Sequence, residues 1–235
     1  MFKSLKTYER FRRVVSLIAP NRCPFCGEVL DTMDYWCGEC YRYLPFARGI
    51  MPPPDNISEF YACCFYSGRA RDAVLMLKYG GLVYPADAFA LMLSEKLRDA
   101  DVNADMLVPV PNGREGVLKR GFSSSELIAE RLSMRIGIPT VNAVMAVANK
   151  REQKTLSADK RRINALHSFF LNKEIRVRGK RIMLIDEVST TGSTLSAVGE
   201  ILRKAGAADV SAAVFAKTPN CEHFAERKNY KIRKR

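Results

Sequence analysis

Apolar and polar positions divide the chain into three stretches of different rhythm. Between residues 2 and 18, Phe2, Leu5, Phe11, Val14, Val15 and Ile18 recur at roughly helical spacing with basic residues between them, which predicts a short amphipathic helix. Cysteine-rich sequence follows, and then "MPPPDN" at 51–56, where consecutive prolines fix φ and predict a stiff, extended linker. Beyond it, short apolar runs alternate with longer amphipathic ones. Residues 59–66, 105–111, 140–147, 166–172, 181–186 and 209–217 read as strands. The stretches "GRARDAVLMLKYGG", "PADAFALMLSEKLRDA", "SSSELIAERLSMRIG" and "STLSAVGEILRKAG" read as helices, three of them ending on glycine. Strand–helix alternation of this kind implies an α/β fold, a parallel sheet with flanking helices.

The division expected from this pattern is residues 1–50 as a helix plus a small module, 57–220 as the α/β domain and 221–235 as a basic tail. A length of 235 residues and a hydrophobic share of 47% suit one medium domain with an appendage. No apolar run is long enough to span a bilayer, and the charged N-terminus lacks the features of a secretory signal, so a cytoplasmic protein is the expectation.

The cysteines sharpen the picture of the module. Cys23, Cys26, Cys37 and Cys40 form two Cys-x2-Cys pairs separated by ten residues. Each pair puts two sulfurs on one tight turn, and four thiolates make a closed tetrahedral zinc site with no position left for a catalytic water. A structural zinc is the expectation, with an iron–sulfur site or a redox dithiol as alternatives. The total of seven cysteines is odd, which argues against a disulfide framework; Cys63, Cys64 and Cys221 are expected to serve packing. His167 and His223 have no partner spacing and are expected to be structural.

The formal charge of +13 favours polyanionic partners: nucleic acid, phosphorylated ligands or an acidic protein. Six of the last nine residues are basic, and Tyr35, Trp36, Tyr41 and Tyr43 could either stack bases or fill the small module's core.

Residues 181–195, "RIMLIDEVSTTGSTL", carry the most specific chemistry. An apolar strand delivers Asp186 and Glu187 to its end, then turns through small hydroxyls and Gly192. An ATPase strand would need a phosphate loop of the form G-x4-G-K-[ST], and Gly179-Lys180 lacks it. A second reading makes the acids incidental and Thr191 or Ser193 a helix cap. A third makes the loop a phosphoribosyl pyrophosphate (PRPP) site. In open α/β sheets, ligands bind beyond the carboxyl ends of the strands, and the amides of a helix N-terminus cradle phosphate. The acids would meet ribose hydroxyls and help to hold a magnesium–sugar complex.

In this last respect "IMLIDEVSTTGST" resembles the PRPP-binding motif of type I phosphoribosyltransferases. The wider set of motifs resembles the ComF family of competence-associated, phosphoribosyltransferase-like proteins: the four cysteines, "YSGRARDAVLMLKYGG", "VPVPNGREGVLKRGF", "REQKTLSADKRRIN" and "GAADVSAAVFAK". The resemblance implies a type I phosphoribosyltransferase fold. It implies a PRPP site made of Asp186, Glu187, Val188, Ser189, Thr190, Thr191, Gly192, Ser193 and Thr194, with Pro111, Asn112 and Lys119 on the pyrophosphate side. Asp186, Glu187 and Arg120 would be the catalytic set, magnesium would accompany PRPP, and Lys119, Arg120, Arg151, Gln153 and Arg161 fall in the family's other polar motifs. Arg114, Lys119, Arg120, Lys150 and Arg151 are the candidate cations for the departing pyrophosphate. A hood for the acceptor would lie around residues 57–100. The activity implied is that of a glycosyltransferase; the alternative is a single-stranded-DNA-binding or PRPP-sensing adaptor without turnover. The family's link to competence implies DNA uptake or DNA metabolism as context, with single-stranded DNA and DNA-uptake or helicase machinery as partners. Two departures stand out: the usual Asp-Asp is Asp186-Glu187, and the usual Asn-Gln after "RGF" is Ser123-Ser124.

Overall fold

The computed structural model describes residues 4–31, 34–147 and 168–219, apart from the side chains of Arg114 and Glu115. Lys150, Arg151, Gln153, Arg161, His167, Cys221, His223 and the basic tail lie outside the described residues.

The elements run α1 (Leu5–Ser16), α2 (Gly38–Arg42), β1 (Phe60–Phe65), α3 (Gly68–Tyr79), α4 (Pro85–Asp99), β2 (Met106–Pro109), α5 (Arg114–Arg120), α6 (Ser124–Ile136), β3 (Val144–Ala146), β4 (Phe169–Leu171), β5 (Arg181–Ser189), α7 (Ser193–Lys204) and β6 (Asp209–Lys217). Four strands make a parallel sheet in the order β1-β6-β5-β2, and β3 and β4 form a separate antiparallel ribbon. The central strands β5 and β6 are apolar over most of their length because both of their faces are covered. One face packs with α3, α4 and α6 around Leu77, Phe89, Leu93, Ile128, Leu132 and Phe215; the other packs under α7 around Phe60, Val108, Leu184, Val198 and Val214. Among the described residues, no helix is long and apolar enough to cross a membrane.

The cysteine module shares the first of these cores. Phe25 stacks on Phe215 of β6 with centroids 6.4 Å apart, and Phe215 stacks on Phe89 of α4 at 3.6 Å. The first helix straddles both parts: Tyr8 donates its hydroxyl to buried Asp87 of α4, while Arg12 lies over the Tyr35 ring. Residues 45–51 then run beside β1, with Ala47 N donating to Cys63 O and Met51 N to Phe60 O.

Three sequence expectations change here. The "MPPPDN" stretch is a strap laid along α7, held where Arg203 Nε donates to Asn56 O at 2.7 Å and where Ile57 is buried. The region expected as a hood contains an edge strand of the sheet, β1, and two helices packed on its face. Strand β5 continues to Ser189, three residues past its expected end at Asp186. Main-chain pairing with β6 carries it on, through Asp186↔Val214, Val188↔Ala216 and Ser189↔Lys217.

Candidate functional site

The geometry of the acid pair follows from unequal strand lengths. β2 stays paired with β5 only as far as Pro109↔Ile185, and Val110 N donates to Ile185 O before the chain turns away. Asp186 and Glu187 therefore stand where β5 has lost its neighbour on that side, beside the loop of Pro111 and Asn112. Both are buried, Asp186 at 8% and Glu187 at 2% exposure. Lys78, from the last turn of α3, places Nζ 2.6 Å from Glu187 Oε1. The other oxygen, Oε2, is buried with no hydrogen-bond partner among the described residues.

Two adjacent buried carboxylates cannot both ionise cheaply. Burial, and then the charge of Glu187, push the Asp186 carboxyl well above the usual aspartate range. Burial also acts to raise Glu187, but Lys78 beside it outweighs this and holds it below the usual glutamate range. The two shifts run in opposite directions, so Glu187 ionises before Asp186.

After Ser189 the chain crosses Thr190, Thr191 and Gly192 into α7. Gly192 caps that helix in the left-handed region, at φ 80°, and offers no side chain to compete for the first-turn amides. Thr191 Oγ1 donates to Ser193 Oγ at 3.0 Å, and Thr190 O accepts from Lys217 Nζ at 3.1 Å. Amides at a helix N-terminus, small hydroxyls and a cation under the turn suit a phosphate dianion. Lys217 is partly desolvated, which lowers its pKa.

The loop after β2 is held by the serines that replace the expected amides. Asn112 Oδ1 accepts from Ser123 Oγ at 3.0 Å, Ser124 N at 2.8 Å and Ser124 Oγ at 3.0 Å, while Ser125 Oγ donates to Val110 O at 2.6 Å. With its oxygen committed to the serines, Asn112 keeps its NH2 group as the part able to face an anion. Arg120 Nη1 donates to Lys78 O at 3.3 Å, and Lys119 is solvent-exposed on α5. The structure therefore sets Asp186 through Thr194 in one run from the end of β5 into α7, starts the Pro111–Asn112 loop just after the last bond between β2 and β5, and ties Arg120 to the end of α3.

At the module, the four cysteine sulfurs lie within 4.8 Å of one another, and Cys26 Sγ stands 3.8 Å from Cys37 Sγ. A tetrahedron with Zn–S bonds of about 2.3 Å has S···S edges of about 3.8 Å, so the donor set and its size fit a structural zinc. Of the aromatics there, Trp36 stacks on Tyr41 at 5.2 Å and Tyr41 meets Phe46 at 5.0 Å, while Arg12 and Arg135 flank Tyr35. These four rings pack within the module, Tyr41 with one side open, while Tyr43 is exposed.

Comparison with known proteins agrees with the fold. Residues 86–235 match the phosphoribosyl transferase domain. The chain is 26% identical over 199 residues to Competence protein F of Haemophilus influenzae, covering 80% of this chain and 82% of that protein. It is 25% identical over 195 residues to Competence protein ComFC of Streptococcus pneumoniae, covering 82% and 79% of the two chains. The chain is a ComF-family member with a phosphoribosyl transferase domain. The DNA utilization protein YhgH of Escherichia coli K12 is another relative of this ComF protein, 28% identical over 199 residues, covering 80% of this chain and 86% of YhgH.

Sequence reasoning missed Lys78, Lys217, Ser125 and the strap. The only signal for Lys78 was a lysine in the last turn of a helix otherwise apolar on its inner face, within a family motif that had no assigned role.

Proposed function

We propose that this ComF protein binds magnesium–PRPP at the end of β5 and acts in DNA uptake or DNA metabolism. The observation that carries the reading is the buried acid pair, with one oxygen unpartnered among the described residues, placed directly before the Gly192 turn and α7. Asp186 and Glu187 would accept hydrogen bonds from the ribose hydroxyls, and the amides and hydroxyls of residues 190–194 would hold the 5-phosphate. Asn112, braced by Ser123 and Ser124, would face pyrophosphate. Oxygen-only donors at the acid pair fit a hard cation such as magnesium, which would neutralise charge on the departing pyrophosphate. The chain's own contribution to transfer would be orientation and fixed charge rather than a covalent nucleophile. The relatives named for competence and DNA utilization support the cellular context, and the net charge of +13 suits an anionic partner such as single-stranded DNA within a DNA-uptake or helicase machinery. The cysteine module would carry one zinc as a structural ion.

Calorimetric titration of magnesium–PRPP into the zinc-loaded chain tests the reading, beside an Asp186→Asn/Glu187→Gln variant. Saturable binding by wild type and its loss in the variant is the expected result. A folded wild-type chain that takes up no PRPP refutes the site. Pyrophosphate release with candidate acceptors then separates a transferase from a PRPP-sensing adaptor.

A further inference from the structure

The stretch "YSGRARDAVLMLKYGG" has no role in the function proposed above, yet α3, which it forms, reaches both chemical centres of the molecule. In its first turn, Arg69 Nη1 donates to Cys40 Sγ at 2.8 Å, and Nη2 pairs with Glu39 Oε1 at 3.3 Å. In its last turn, Lys78 Nζ holds Glu187 Oε1. Nine residues of helix separate the two cations, a rise of about 13 Å. Between them Ala70, Ala73, Val74 and Leu77 are fully buried, so the helix is clamped against the sheet along its inner face. Its far end is fixed again where Arg120 reaches Lys78 O. A rod clamped in this way does not shift at one end without shifting at the other.

We propose that α3 joins the four-cysteine site and the acid pair into one linked equilibrium. Arg69 grips a cysteine sulfur at one end, and Lys78 is the positioning residue for Glu187 at the other. Arg69 holds a sulfur that a bound metal would share, so a metal that fixes Cys40 in place would also fix the first turn of α3. Lys78 fixes one oxygen of Glu187, and the other, Oε2, is buried without a hydrogen-bond partner among the described residues. Linkage is reciprocal: what strengthens one end strengthens the other by the same factor. The inference rests on reading Asp186 and Glu187 as ligand-binding acids, and it assigns the metal module an influence on that site.

The test is the zinc affinity of the full chain, by equilibrium competition with a chromophoric chelator, for wild type, Arg69→Met, Lys78→Met and the double variant. Each single change is expected to weaken zinc binding by about fivefold or more, with the double variant no weaker than the weaker single one. Lys78→Arg, which keeps the charge, should restore the wild-type affinity; a role in packing alone would not show this rescue. Magnesium–PRPP should tighten zinc binding to wild type by a similar factor. Unchanged zinc affinity in Lys78→Met overturns the coupling, as does bound PRPP that leaves zinc affinity unaltered. If wild type binds no PRPP, the proposed function falls, and the Lys78 variants still decide whether the two ends of α3 are linked.

Discussion

Replacing Gly192 by alanine probes how the strap and the phosphate loop are joined. At φ +80° an alanine costs about 1–2 kcal/mol in backbone strain alone. Its Cβ would also stand 2.7 Å from Pro54 Cβ and 3.0 Å from Pro54 Cγ, closer than side-chain carbons pack. Pro54 cannot rotate aside, because it is a ring in a strap anchored two residues later by Arg203 on Asn56 O. Relief requires a main-chain shift worth about 1–3 kcal/mol. The total expected loss is about 2–5 kcal/mol. Pro54→Gly removes both clashing atoms and leaves the φ strain, so the two changes should not add. A double-mutant cycle by urea denaturation, followed by far-ultraviolet circular dichroism, should return a favourable coupling of about 1–3 kcal/mol. Additivity within about 0.5 kcal/mol would falsify the claim that the strap bears on the loop.

Two further outcomes follow from the buried charges. Tyr8 donates to both oxygens of Asp87 at 2.8 and 2.7 Å, so Tyr8→Phe leaves that carboxylate supported by Arg131 at 3.2 Å and should cost about 1–3 kcal/mol. A melting temperature unchanged in Tyr8→Phe rules out that bond as an anchor of α1. In the free protein Asp186 holds a proton above its ordinary value of 3.8, and ligand binding that uses both carboxylates as acceptors must expel it. PRPP affinity should therefore rise with pH across the range in which Asp186 titrates and level off above it. Within that range binding heats should vary with the ionisation enthalpy of the buffer, and heats independent of buffer throughout argue against a raised Asp186.

Much of this architecture was legible because local signals agreed with burial. The strand 209–217 and the helix opening at Ser193 match their observed elements, since an apolar run buried on both faces and a one-sided amphipathic pattern leave little ambiguity. The four cysteines were legible as a cluster because tetrahedral coordination imposes a spacing on sequence. Other features depend on contacts between distant segments, which carry no periodicity. The continuation of β5 past Ile185 comes from pairing with β6, not from its own polar residues. The strap looks like a spacer in sequence because prolines give the same extended backbone whether free or packed; the close approach is recorded by Gly192 opposite Pro54 and Gly199 opposite Asn56 and Ile57. The Lys78–Glu187 pair joins residues from separate motifs, each unremarkable alone. The short ribbon β3–β4 spans three residues per strand, shorter than the apolar stretches that announced it, because pairing extends only where the two strands face each other.

The strand order has a consequence for the chain as it is made. β1 is complete at Phe65, but the strand it pairs with, β6, begins only at Asp209. At about 5–20 residues per second, a ribosome needs about 7–30 s to supply the intervening segment. Throughout that interval "FYACCF" waits as an apolar strand without its sheet, the kind of segment that pairs with other copies of itself. Residues 45–51, which run along its outer side, are already made by then and give the nascent strand a partner until β6 arrives.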